Sequence, residues 1–282
     1  MIGYAEIIVQ EHVEGENIYP QEKNELLTVP FPLSPPMDFP KRQNYSGIKI
    51  APLSSGRIVV SWFFYDGTKD EDGRPLLRAR AIIAGTEDFP LIRDLKILLD
   101  FLRSKQQSLD QLEVLAKKKS FLFSNIAMEQ FVRELDENFI GRVLSTIYSA
   151  KMADILAPRN EEHVLRVIFG LLPANILRNL SICTSWGGFG EVEDILISNI
   201  DTPRKCPKIN WDKKKIKGGT KLDAFVTLIE ILKVDTPPFP PTKKFNLLNY
   251  ILREREFPEE LEKIAKTISM FDEFRKKVRK LK

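Results

Sequence analysis

The chain has 282 residues, 43% hydrophobic and 29% charged, enough apolar material for one large domain or two smaller ones. Its 43 basic and 39 acidic residues leave a net charge of +4, too balanced to argue for nucleic acid by itself. Two cysteines, Cys183 and Cys206, exclude a disulfide framework; two histidines, His12 and His163, argue against a histidine-built metal site or triad.

The opening MIGYAEIIVQ lacks the basic and long apolar stretches of a signal peptide, and no run approaches a membrane span, so a cytoplasmic protein is expected. Tyr4 to Val13 reads as a first strand. Gly15 to Phe39 has no periodicity and carries Pro20, Pro30, Pro32, Pro35 and Pro36, which reads as an extended arm. Two strands follow, Tyr45–Ala51 and Arg57–Tyr65, joined by a turn at Pro52–Gly56. Asp66 to Pro75 is an acidic, turn-rich loop; it lacks the terminal Glu of a calcium loop, and no metal or cofactor is expected. Leu76 to Ala84 is a third strand whose two-residue period puts Arg78 and Arg80 on one face. Arg57, Arg74, Arg78 and Arg80 are candidates to meet an anion or a partner's carboxylate.

Asp88 and Pro90 start a helix that runs to about Ser104 with a leucine-rich stripe. After a polar connection, Ala127–Leu135 and Asn138–Ser149 read as helices and Met152–Leu156 as a short strand. Asn160 caps a helix that stops before Pro173. Leu180–Thr184 and Val192–Ile200 are strand-like and flank Trp186-Gly187-Gly188-Phe189-Gly190. That turn lacks the Lys-Ser/Thr pair and following helix of a phosphate loop, so a tight hairpin turn is expected, with Trp186 and Phe189 as candidate contacts at its tip. Thr202 to Gly219 reads as a basic loop. Lys205, Trp211, Lys213, Lys214 and Lys215 in it interleave charge with an aromatic, the pattern of a nucleic-acid contact. Thr220 caps a helix to Val234; Asp235–Thr242 is a stiff proline linker, and a basic helical tail ends the chain.

Four stretches carry a family likeness: SGRIVVSWFFYDGTKDEDGRP with the strand after it, EDFPLIRDLKILLDFL, RVLSTIYSAKM and LLPANILRNLSICTSW. In this order they resemble the N-terminal module of a family of prokaryotic GTPase-associated proteins. Where that family commonly carries a histidine after its Gly-Arg-Pro-like turn, this chain has Arg78, Ala79, Arg80 and Ala81, so no family site residue carries over. The resemblance implies association with a small GTPase or its operon partners.

The expected fold is α+β: an antiparallel sheet lobe with a covering helix over 1–104, an α/β lobe over 105–234, and a proline linker with a helical tail over 235–282. No catalytic constellation stands out. The expected function is a non-enzymatic regulatory or adaptor protein that binds a protein partner, a small GTPase, through Arg57, Arg74, Arg78, Arg80, Trp186 and Phe189. The alternative is a nucleic-acid-associated factor that uses the Trp211 loop and the tail.

Overall fold

The computed structural model describes residues 2–9, 11–28, 46–73, 75–85, 95–104, 110, 134–158, 160–184, 194–198, 201–202, 204–233 and 263. Strands β1 (Gly3–Ile8) and β2 (His12–Glu16) precede helix α1 (Pro20–Thr28), then β3 (Ser46–Pro52), β4 (Ile58–Lys69) and β5 (Pro75–Ala84). Helices α2 (Leu95–Arg103) and α3 (Glu137–Ala150) lead to β6 (Ala153–Leu156). Next come α4 (Glu161–Leu171), α5 (Ala174–Leu177), β7 (Ile182–Thr184) and β8 (Ile195–Ser198). The short strands β9 (Lys208–Asn210) and β10 (Lys215–Lys217) and helix α6 (Asp223–Lys233) follow. The fold is α+β, as the sequence predicts.

The ten strands among the described residues join one mixed sheet, in the order β10-β9-β6-β8-β7-β3-β4-β5-β1-β2. β1 to β5 pair antiparallel, whereas β6 pairs parallel with both β8 and β9, and β7 pairs parallel with β8. The parts expected as separate lobes therefore share a sheet. They meet where β3 pairs antiparallel with β7, Lys49 opposite Cys183 and Ile50 opposite Ile182. A single rung crosses all ten strands: Gly15, Ala5, Ala81, Ser61, Lys49, Cys183, Leu196, Asp154, Lys208 and Lys217, each opposite the next.

Both faces bury apolar side chains, because side chains alternate along each strand. One face carries Ile50, Val60, Ile82, Ile155, Ile182 and Ile195 and shares a core with Leu99 of α2, Leu144 of α3, Ile168 of α4 and Phe225 of α6. The other carries Ala5, Ile7, Val59, Phe63, Ala81, Cys183 and Leu196, with Leu26 of α1 against it.

Three local expectations are corrected. The single strand over Tyr4–Val13 is a hairpin: Glu11 N–H donates to Ile8 O at 3.0 Å and His12 pairs back onto Ile8. Part of the expected arm, residues 20–28, is α1. Pro20 takes the first helical position, where its missing N–H costs nothing, and the Glu22 carboxylate accepts from Tyr19 N–H at 3.0 Å. The expected hairpin across the glycine-rich turn is not one: β7 and β8 run parallel, Ile182 opposite Ile195. Both are wholly buried and, but for Thr184 and Ser198 at their ends, apolar, the mark of parallel strands rather than of an alternating hairpin. The linker and tail over 235–282 lie outside the described residues apart from Lys263.

Candidate functional site

β6 lies between β8 and β9, and its sequence Ala-Asp-Ile-Leu places one acid, Asp154, on the face opposite α3 and α6. Only 4% of Asp154 reaches solvent. A carboxylate so buried needs opposite charge and hydrogen bonds. Arg204 Nη1 stands 3.0 Å from Oδ1 and Lys208 Nζ 2.5 Å from Oδ2, and the Thr202 hydroxyl also donates to Oδ2. Lys208 Nζ donates in turn to Thr202 O at 2.7 Å. Asp154 thereby gathers side chains from the connection between β8 and β9 and from the start of β9. The Cys206 thiol sits alongside, its pKa pushed up by burial and then by the Asp154 carboxylate.

A cavity of about 450 Å³ opens beside this cluster, and Arg142, Asp154, Lys208, Lys214, Lys215 and Lys217 are among its lining residues. Lys214 ties this end of the sheet to α3. It takes a left-handed backbone (φ 49°) in the β9–β10 turn, and its Nζ donates to Asp136 Oδ2 at 2.9 Å. That bond holds the Asp136 carboxyl below its ordinary range. Asp136 also caps α3, its Oδ1 accepting from Phe139 N–H at 3.1 Å. The basic hairpin is thus anchored to a helix start.

The nucleic-acid candidates divide. Lys214 and Lys215 line the cavity, whereas Lys205 and Lys213 are exposed and outside its lining. Trp211 turns inward, its ring 5.4 Å from Phe139 and 5.8 Å from His163, both edge-on. Its backbone N–H donates to Leu156 O at 2.9 Å. The expected loop is therefore a hairpin whose aromatic is packed against the core.

Among the described arginine candidates, Arg57 stands apart from Arg78 and Arg80. Arg57 belongs to a structural pair with Glu22 of α1, Nη1 to Oε2 at 3.0 Å, and its Nη2 donates to Ile83 O at 2.9 Å. Arg78 and Arg80 lie beside each other on the face that carries α2. Arg80 Nη1 donates to Leu102 O at 3.3 Å and its Nε stands 3.4 Å from Glu6 Oε1. Across the strand from this pair of arginines stand Phe64 and Trp62, stacked at 4.1 Å and 19°. The Arg80 guanidinium lies 5.7 Å from the Phe64 ring centre. Arg74, Trp186 and Phe189 lie outside the described residues.

Sequence reasoning missed Asp154, Arg142 and Glu22. A lone acid inside an apolar strand was the available signal for Asp154; nothing local marks the other two.

No protein-family model matches the chain, and no curated protein matches it. Among the described residues, no group of three or more His, Cys, Asp or Glu is placed to hold a metal ion, and no helix is long and apolar enough to cross a membrane.

Proposed function

We propose that the protein is a non-enzymatic regulatory adaptor that binds a small GTPase through the surface built by Trp62, Phe64, Arg78 and Arg80. The observation that carries this reading is the stacked aromatic pair with an arginine laid over it, all partly solvent-accessible. Aromatic and arginine side chains are the types that dominate the centres of protein interfaces, because they bury large areas at low entropic cost and offer directional donors. Arg78 and Arg80 make this face basic, with Glu6 already paired to Arg80, and an acidic surface on the partner would complement it. The family resemblance supplies the partner class. The nucleic-acid alternative is the weaker reading, since its aromatic, Trp211, is committed to Phe139 and His163.

The test is binding of the immobilised protein to small GTPases loaded with GDP or a GTP analogue. Binding that depends on the nucleotide and weakens about tenfold or more in Phe64→Ala and Arg80→Ala supports the reading. Equal binding by these variants, or no GTPase bound in either state, sinks it.

A further inference from the structure

We infer that the cavity beside β9 and β10 binds a small phosphate-bearing ligand of nucleotide size. The first argument is charge. Among the described residues, five cations, Arg142, Lys208, Lys214, Lys215 and Lys217, line the cavity with two carboxylates, Asp154 and Asp201. Lys208 is held by Asp154 and Lys214 by Asp136. Among the described residues, the side chains of Arg142, Lys215 and Lys217 have no ion pair or hydrogen bond. Three uncompensated cations around one concavity call for more negative charge than a single carboxylate supplies, and a di- or triphosphate supplies it.

The second argument is position. Leu156, Ser198 and Asn210 are the last residues of the parallel strands β6, β8 and β9, and all three line the cavity. The chain leaves β6 toward β7 and β8 on one side, then crosses to β9 on the other. In sheets with parallel strands, the carboxyl ends at such a reversal form the crevice where ligands sit.

The third is shape and size. About 450 Å³ fits a nucleotide-sized molecule, and Leu156, Ile209 and Ile216 give an apolar wall for its uncharged part. A nucleic-acid strand is the poorer fit. Its charge would need a stripe of cations and a stacking aromatic, yet Lys205 and Lys213 lie outside the lining and Trp211 is packed inward.

Calorimetric titration of the full chain with pyrophosphate, ADP and GDP tests the inference, at about 50 mM and about 200 mM salt. Lys215→Ala/Lys217→Ala is expected to weaken binding about tenfold or more, and Arg142→Ala independently likewise. Lys205→Ala/Lys213→Ala is the control and is expected to bind as the parent does. All five positions are exposed, so melting temperatures should stay at the parent value, and any variant that melts early is replaced by the single Lys217→Glu change. Pyrophosphate binding as tightly as a nucleotide still supports the site and assigns recognition to the phosphates. Absence of binding by all three probes at the lower salt overturns the inference. So does equal weakening by the cavity and control variants. These residues are remote in sequence and function from Phe64 and Arg80, so failure here leaves the adaptor reading standing, and the reverse.

Discussion

Glu22 and Arg57 form an ion pair whose carboxylate is wholly out of solvent, with Nη1 and Oε2 3.0 Å apart. Ser55 Oγ donates to Glu22 Oε1 at 2.7 Å and Tyr19 N–H to Oε2 at 3.0 Å, so the acid is satisfied on several sides. It clamps α1 to the turn that starts β4. Removing one partner of a buried pair strands the other, at a cost of roughly 3–5 kcal/mol. Glu22→Ala should therefore lower the urea midpoint strongly, while Glu22→Leu/Arg57→Met should recover much of the loss. A Glu22→Ala loss below about 1 kcal/mol would show that the pair is dispensable.

Asp154 should control the chemistry of Cys206. Burial comes first among the causes that raise this thiol, and the Asp154 carboxylate adds to it. The thiolate is the reactive form, so Cys206 should label more slowly than a free thiol near neutral pH. Asp154→Asn should speed that labelling, whereas buried Cys183 should label only on unfolding. Labelling rates followed with a chromogenic disulfide decide it; a Cys206 rate indifferent to Asp154→Asn removes the electrostatic link.

Gly141 is where α3 meets α6. A Cβ added there would lie 2.6 Å from Val226 Cγ2 and 3.0 Å from the Val226 backbone nitrogen. Alanine is the better helix former by about 1 kcal/mol, but the nearby backbone cannot step aside cheaply. Gly141→Ala is expected to be net destabilising by roughly 1–3 kcal/mol despite its propensity. Thermal unfolding measures it, and a variant at least as stable as the parent refutes the close contact.

His163 gives a pH dependence of known sign. Burial, and next the Arg166 charge, hold its imidazole pKa down, with Glu134 opposing. The folded state thus favours neutral imidazole and the unfolded chain binds the proton more readily. This group's contribution is present above the unfolded value, about 6.5, and is lost as the pH falls through the folded value. His163→Gln should become more stable relative to the parent as the medium is acidified below about pH 6.5. Nearby Glu161, its carboxyl raised by burial, contributes with the opposite sign, but it is common to both proteins and cancels in the comparison. Parallel stability curves for parent and variant across that window contradict the assignment.

The long alternating strands β4 and β5 and the amphipathic helices α3 and α4 were legible, because their periods of two and 3.6 are set by the faces they bury. Legibility failed where a residue carries two meanings. Pro20 reads as a breaker in a proline-rich stretch, yet it starts α1. Ile182-Cys183-Thr184 and Ile195-Leu196-Ile197-Ser198 are buried throughout and apolar except at their last residues, and local pattern cannot separate parallel from antiparallel pairing for such runs. Asn160 takes the cap position as expected, but its side chain donates to Asp212 Oδ1 at 3.1 Å rather than to the helix. The cavity was half legible: the lysines of the basic hairpin were visible as a group, but Asp154 joins them only through the pairing of β6 with β9, and Arg142 only from helix α3.

The rung from Gly15 to Lys217 has a practical corollary for anyone who would trim the chain. A fragment that stops near residue 104 would bare the side of β3 that β7 occupies, together with Ile48 and Ile50, which share their core with α3 and α4. An open strand edge beside apolar side chains is a template for self-adhesion. Such a fragment is expected to precipitate rather than fold, and the two halves should melt in a single transition.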